Sequence, residues 1–148
     1  MKALPSILRI ALGSIFLVYG LDGFFPFMPK SLVSEQATNF ITAMIDSGYL
    51  WTLLKVGETV GGAMLILNLY VPLALVLLAP IVVNIVGFHF FLNPENRAIG
   101  IYPIGVVLVL LELSLAWLYR DFFQSLFVRS ALPQSIQVER TSSPEPSE

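Results

Sequence analysis

The chain has 148 residues, of which 56% are hydrophobic and only 12% charged, with a net charge of −2 and no cysteine. Soluble domains carry roughly twice that charged fraction, so the balance, with a mean hydropathy of +0.80, puts the chain in the membrane class and allows one domain. Scattered Lys and Arg form no basic stripe, which argues against a nucleic-acid partner, and the missing cysteines exclude disulfides, thiol redox and thiolate metal sites.

From Pro5 to about Phe25 the chain is apolar except for Arg9, Ser6, Ser14 and Asp22. No small-x-small cleavage pattern follows it and further apolar spans do, so it reads as a first membrane helix rather than a signal peptide. Pro5 suits the first turn, where its missing N–H is not needed. Arg9, Gly13, Phe16 and Gly20 fall at i, i+4, i+7 and i+11 and share one face, with the glycines admitting a close neighbour.

Between Pro26 and Tyr49 the pattern changes. Phe40, Ile41, Met44 and Ile45 recur at helical spacing among polar residues, which predicts a short amphipathic helix at the interface, starting at Ser34 and ending at Gly48. A second span runs from about Leu50 to Leu69, with Tyr49 and Trp51 as interfacial anchors. It contains Lys55 and Glu58, and Gly57-x-x-x-Gly61 marks a close-packing face.

Asn68, Tyr70 and Pro72 leave room only for a tight turn, so the third span runs antiparallel beside the second. That span ends near Leu92 and is uncharged, yet it holds Pro80, Asn84 and His89, the one histidine of the chain. Pro80 cannot donate to the Val76 carbonyl, and a bend is expected there. After a short loop holding Pro94, Glu95 and Arg97, a fourth span runs from about Ile101 to Tyr119 with Glu112 inside, and the helix is expected to continue through Phe122, Phe123 and Phe127 along the surface. Residues 131–148 are rich in proline and serine and read as a disordered polar tail behind a membrane domain of residues 1–130.

The expected fold is therefore all-α, an integral membrane bundle of four transmembrane helices with a short interfacial helix between the first and second. Four spans put both termini on one side, which collects Lys2, Arg9, Arg120, Arg129 and Arg140 against Lys30, Arg97 and Lys55 on the other. The positive-inside rule then places both termini in the cytoplasm.

Counted at about 1.5 Å per residue, Glu58, Asn84 and Glu112 fall within roughly 5 Å of the midplane. A charge there costs roughly 2.5 to 3.5 kcal/mol on the lenient insertion scale, so Arg9, Glu58, Asn84 and Glu112 are expected to face inward as one buried polar network, with Arg9 on Glu58. Such a network is either glue that fixes helix register or a proton path or headgroup site. Asp22, Lys55 and His89 form an outer level, with Lys55 and Glu58 at i, i+3 on one face. His89 among Phe88, Phe90 and Phe91 is either a satisfied polar residue or the lining of a pocket for a flat ring, where a histidine beside a carboxylate handles a quinone's proton. One histidine excludes bis-histidine haem ligation within the chain, and no metal site is expected.

Arg9 with Gly13 and Gly20, the run KVGETVGGAMLIL, and VPLALVLLAPIVVNIVGFHFFL taken together and in order resemble the DoxX-like membrane proteins from Arg9 to Tyr119. The resemblance implies a compact four-helix membrane bundle and a link to quinol oxidation and thiosulfate:quinone oxidoreduction. Quinone is the expected cofactor class, a multi-pass cell-membrane protein of the inner membrane the expected location, and the bilayer with other membrane redox subunits or a second copy the expected partners. Many relatives carry a lysine near the end of the first span, where this chain has GLDGFF with Asp22. The functional expectation is an accessory or quinone-interacting subunit of a membrane redox system, and the rival is a non-catalytic scaffold or chaperone-like protein whose buried charges only specify packing.

Overall fold

The computed structural model describes residues 3–29, 33–92 and 102–123, and these are helical with no strand among them. Helix α1 spans Leu4–Asp22, α2 Glu35–Asp46, α3 Leu50–Leu67, α4 Val71–Gly87, α5 Tyr102–Leu118 and the short α6 Arg120–Phe123. Among the described residues three helical stretches are long and apolar enough to cross a bilayer: Leu4–Asp22, Leu50–Leu67 and Val71–Leu92. The apolar part of α5, Ile104–Leu118, is shorter than these. The expected tail and Phe127 lie outside the described residues.

The helix ends follow local chemistry. Pro5 and Pro72 sit in the first turns of α1 and α4, where no N–H is missed. Ser34 caps α2, its hydroxyl accepting from the Ala37 N–H at 3.1 Å, while Gly48 just past the helix takes a φ of +77° that favours glycine. The α3–α4 turn is made by two residues in the left-handed region, Asn68 at φ +58° and Tyr70 at φ +46°. Asn68 closes α3 through N–H bonds to the Leu65 and Met64 carbonyls from itself and Leu69.

Packing is not in chain order. The most extensive contact joins α1 to α3, α3 packs on α4, α4 on α5, and α5 returns to α1, closing a ring of four helices. Glycines make the α1–α3 seam possible: Gly13 and Gly20 of α1, on the shared face the sequence predicts, and Gly62 of α3 are all buried there. Gly61 lies under Leu78 of α4, so the Gly57/Gly61 face serves a contact inside the chain. The core is closed by Leu12, Phe16, Leu65, Leu75, Leu78, Val82, Leu108 and Leu115.

The ends of the third and fourth spans differ from expectation. Helix α4 includes Pro80, and after Gly87 the third span widens into a π-helical turn at Phe88–Leu92. The Leu92 carbonyl at the end of that turn accepts from the Ser34 hydroxyl, which ties the turn to the start of α2. The helix after α5 is not continuous either: it breaks at Tyr119 before α6, and Trp117 in the last turn of α5 stacks on the Arg120 guanidinium at 4.8 Å.

Candidate functional site

A cavity of about 330 Å³ opens among α1, α2, α3, α5 and the junction of α4 with its π-helical turn. Its wall is apolar and aromatic, with Phe16, Tyr19, Phe40, Trp51 and Phe88, and its polar members are Asp22, Lys55, Glu58, Asn84 and His89. That volume is at the lower end of the range for small-molecule pockets, roughly 300–1,000 Å³. Helix α2 covers it by turning Phe40, Ile41 and Met44 inward, while Glu35, Gln36 and Asp46 are exposed.

The charged centre of the cavity is an ion pair within α3. Lys55 Nζ donates to Glu58 Oε2 at 2.7 Å and to the Tyr19 carbonyl at 3.3 Å, and it lies 4.9 Å from the centre of the Trp51 ring. Lys55 is 9% exposed and Glu58 3%, so each is the other's charge partner in a setting where water cannot substitute. The stem of Lys55 fills the space a Cβ would take at Gly23, and the Trp51 indole N–H points at the Gly23 carbonyl at 3.4 Å. Glycine at 23 thus lets the end of α1 close over this lysine.

His89 sits in the π-helical turn, with its ring edge-on to Phe88 at 5.4 Å and Phe88 6.1 Å from Phe40. Its Nδ1 is 2.8 Å from the Ile85 carbonyl. A carbonyl oxygen only accepts, so Nδ1 carries the hydrogen and Nε2 is the nitrogen left for a ligand.

The expected four-member network does not form as one unit. Arg9 donates through Nη1 to the Asn68 side chain, and Glu58 is taken by Lys55. The reason is position: Arg9 is near the start of α1, level with the end of α3, whereas Glu58 has a cation one turn away on its own helix. Asn84 is exposed where it lines the cavity rather than buried in a network. Glu112 is buried on α5 and its Oε1 has no partner, as has Arg9 Nε. Of the outer level, Asp22 accepts from the Phe27 and Met28 N–H groups at 2.9 and 2.7 Å and holds the loop after α1, while Lys55 and His89 bond elsewhere. The cavity still brings Asp22, Lys55 and His89 together with Glu58 and Asn84 around one space.

Sequence reasoning missed the role of Asn68. The signal was present, because asparagine after an apolar helix is a common left-handed cap and its side chain is then free for a neighbour. It also read Trp51 only as an anchor, although that ring walls the cavity. Among the described residues no group of three or more His, Cys, Asp or Glu is arranged to hold a metal ion.

Apolar helices of membrane-crossing length around a small cavity with a buried ion pair define a helical membrane protein. The DoxX family model matches residues 4–91, and the chain belongs to that family. The match covers α1 to α4 and nearly all of the π-helical turn, which together supply most of the cavity wall. No curated protein and no solved structure matches the chain.

Proposed function

We propose that this protein is a four-span integral membrane protein of the inner membrane that binds a quinone-class ring in the cavity under α2 and serves as an accessory subunit of a membrane redox system. In this reading α5 is the fourth crossing, α2 lies along the outer interface, and both termini are cytoplasmic. The observation that carries it is the joining, in one cavity of about 330 Å³, of an aromatic wall with Lys55, Asn84 and His89. A quinone offers a flat ring and two carbonyl acceptors. The Lys55 ammonium and the Asn84 amide are donors for such carbonyls, and His89 Nε2 is an acceptor for a quinol hydroxyl. The chain's own part is to hold the ring and handle a proton at His89, while electrons pass to or from a partner subunit.

A second reading rests on the Lys55–Glu58 pair, which is satisfied within the chain and needs no ligand. Under it the same residues fix packing, and the protein is a scaffold or chaperone-like partner. Purification in mild detergent followed by extraction and mass analysis separates the two. Quinone recovered in stoichiometric amount, and lost in His89→Gln, supports the first; a ligand-free protein holding a partner subunit supports the second. Cysteines introduced at Ser34 and Ser142 test the topology: Ser34→Cys should be labelled from outside and Ser142→Cys only after permeabilisation.

A further inference from the structure

A second and larger hollow, about 790 Å³, runs along the outer side of α4 and α5, away from the cavity under α2. Its rims are Val76 and Val83 on α4 and Leu113 and Trp117 on α5, all strongly exposed. Between them the small side chains Ala79 and Ala116 leave a trough, and Glu112 lines it at 7% exposure. Glu112 Oε1 has no hydrogen-bond partner, and neither an ion pair nor a hydrogen bond engages this carboxyl among the described residues. Under the four-span reading proposed above, this carboxyl sits in an apolar trough facing hydrocarbon with no water to satisfy it, so a donor carried by whatever fills the trough meets an unmet acceptor.

Val76 on α4 forms one rim of the trough. At the other end Arg120 and Phe123 close the trough, with the guanidinium stacked on Trp117. The hollow therefore has a polar end fit for the membrane surface, an apolar length, and an acceptor set into its floor.

We propose that the α4–α5 trough is a binding site for a membrane-soluble amphiphile, a long apolar chain bearing a hydrogen-bond donor, hydroxyl or ammonium, that meets the Glu112 carboxyl. Shape selects a slim molecule over a partner's helix. A helix laid on this face rests on the projecting Val76, Val83, Leu113 and Trp117 and leaves the carboxyl beneath it unmet, whereas a single chain enters between the rims. The site stands independently of the quinone reading, because the two hollows share helices α4 and α5 but no lining residue.

The full chain in lipid nanodiscs is treated with dicyclohexylcarbodiimide, which adds to protonated carboxyls reached from an apolar phase, and the adduct is located by peptide mass analysis. Glu112 is expected to be modified. Prior addition of hexadecanol or hexadecylamine should remove most of the modification, whereas hexadecane, which has the chain but no donor, should not. Protection by the alcohol identifies a neutral donor as sufficient, and protection by the amine alone identifies charge as required. Ala116→Phe, which narrows the trough and leaves the carboxyl in place, should abolish modification while α-helical content is unchanged. An unmodified Glu112 in the unaltered chain, equal protection by hexadecane and hexadecanol, or protection only by a co-reconstituted transmembrane peptide would each overturn the proposal.

Discussion

Gly13 of α1 and Gly62 of α3 meet backbone to backbone: a Cβ at Gly62 would lie 2.7 Å from the Gly13 carbonyl oxygen, and one at Gly13 would lie 2.8 Å from that of Gly62. The same Gly62 Cβ would stand 2.6 Å from the Leu17 nitrogen. All of these are backbone atoms of packed helices and cannot turn aside. This contact sets the distance between α1 and α3, and with it the closure of Gly23 over Lys55.

Gly62→Ala should therefore push α1 and α3 apart and lower stability in detergent by about 1–3 kcal/mol, the usual range for overpacking. Gly87→Ala is the internal comparison, since a Cβ there meets nothing within 4 Å. It should be neutral or stabilise by up to about 1 kcal/mol through helix propensity. Thermal melts of both variants in one detergent check the ordering; equal effects would mean that the α1–α3 seam is not tight.

The Lys55–Glu58 pair makes a different prediction, about charge. Glu58→Gln leaves a buried ammonium with no counter-charge and should cost about 3–5 kcal/mol, the loss typical of breaking a buried pair. Lys55→Met combined with Glu58→Leu removes both charges and should restore much of that loss. A double-mutant cycle in detergent measures the coupling directly. Additive losses from the two sites would show that the charges do not sense each other.

The all-helical class, the cap at Ser34, the tight turn after Asn68 and the small-residue face of α1 were legible because each depends on a few neighbouring residues and a fixed period. The partners of Arg9 and Glu58 were not. Rise per residue places each of them along its helix, but it leaves rotation about the helix and the order of helices around the ring undetermined. Packing of α1 against α3, rather than against its neighbours in chain order alone, decides that Arg9 reaches Asn68. The i, i+3 spacing of Lys55 and Glu58 held enough information to pair them, and a local partner outcompeted the distant one. Asn84 looked internal because a polar residue at that depth needs company, and the cavity beside it was invisible without the π-helical turn.

Asn68 combines two duties that substitution can separate. Its backbone is left-handed, which glycine adopts freely and alanine does not, and its side chain accepts from Arg9. Asn68→Gly keeps the turn and loses the Arg9 contact, while Asn68→Ala loses the contact and strains the turn by about 1 kcal/mol more. Stability should fall in the order native, Asn68→Gly, Asn68→Ala. If alanine proves no worse than glycine, the turn is not held in this conformation.

His89 is the residue whose replacement should separate binding from folding. Its one side-chain hydrogen bond among the described residues, from Nδ1 to the Ile85 carbonyl, closes over one helical turn, and its ring is half-buried at the edge of the cavity. His89→Gln can return an amide N–H to Ile85 but has no ring to set against Phe88 and no second nitrogen facing the cavity. The melting temperature should stay within a few degrees of the native protein, since loss of one such hydrogen bond costs about 1 kcal/mol. Affinity for a short-chain quinone, followed through quenching of Trp51 fluorescence in a Trp117→Phe background, should fall about tenfold or more, equivalent to about 1.4 kcal/mol. Trp51 reports on the cavity it lines, whereas Trp117 lies on the outer trough and would mask the signal. Unchanged affinity with unchanged stability would remove His89 from the site and leave Lys55 and Asn84 as its polar contacts.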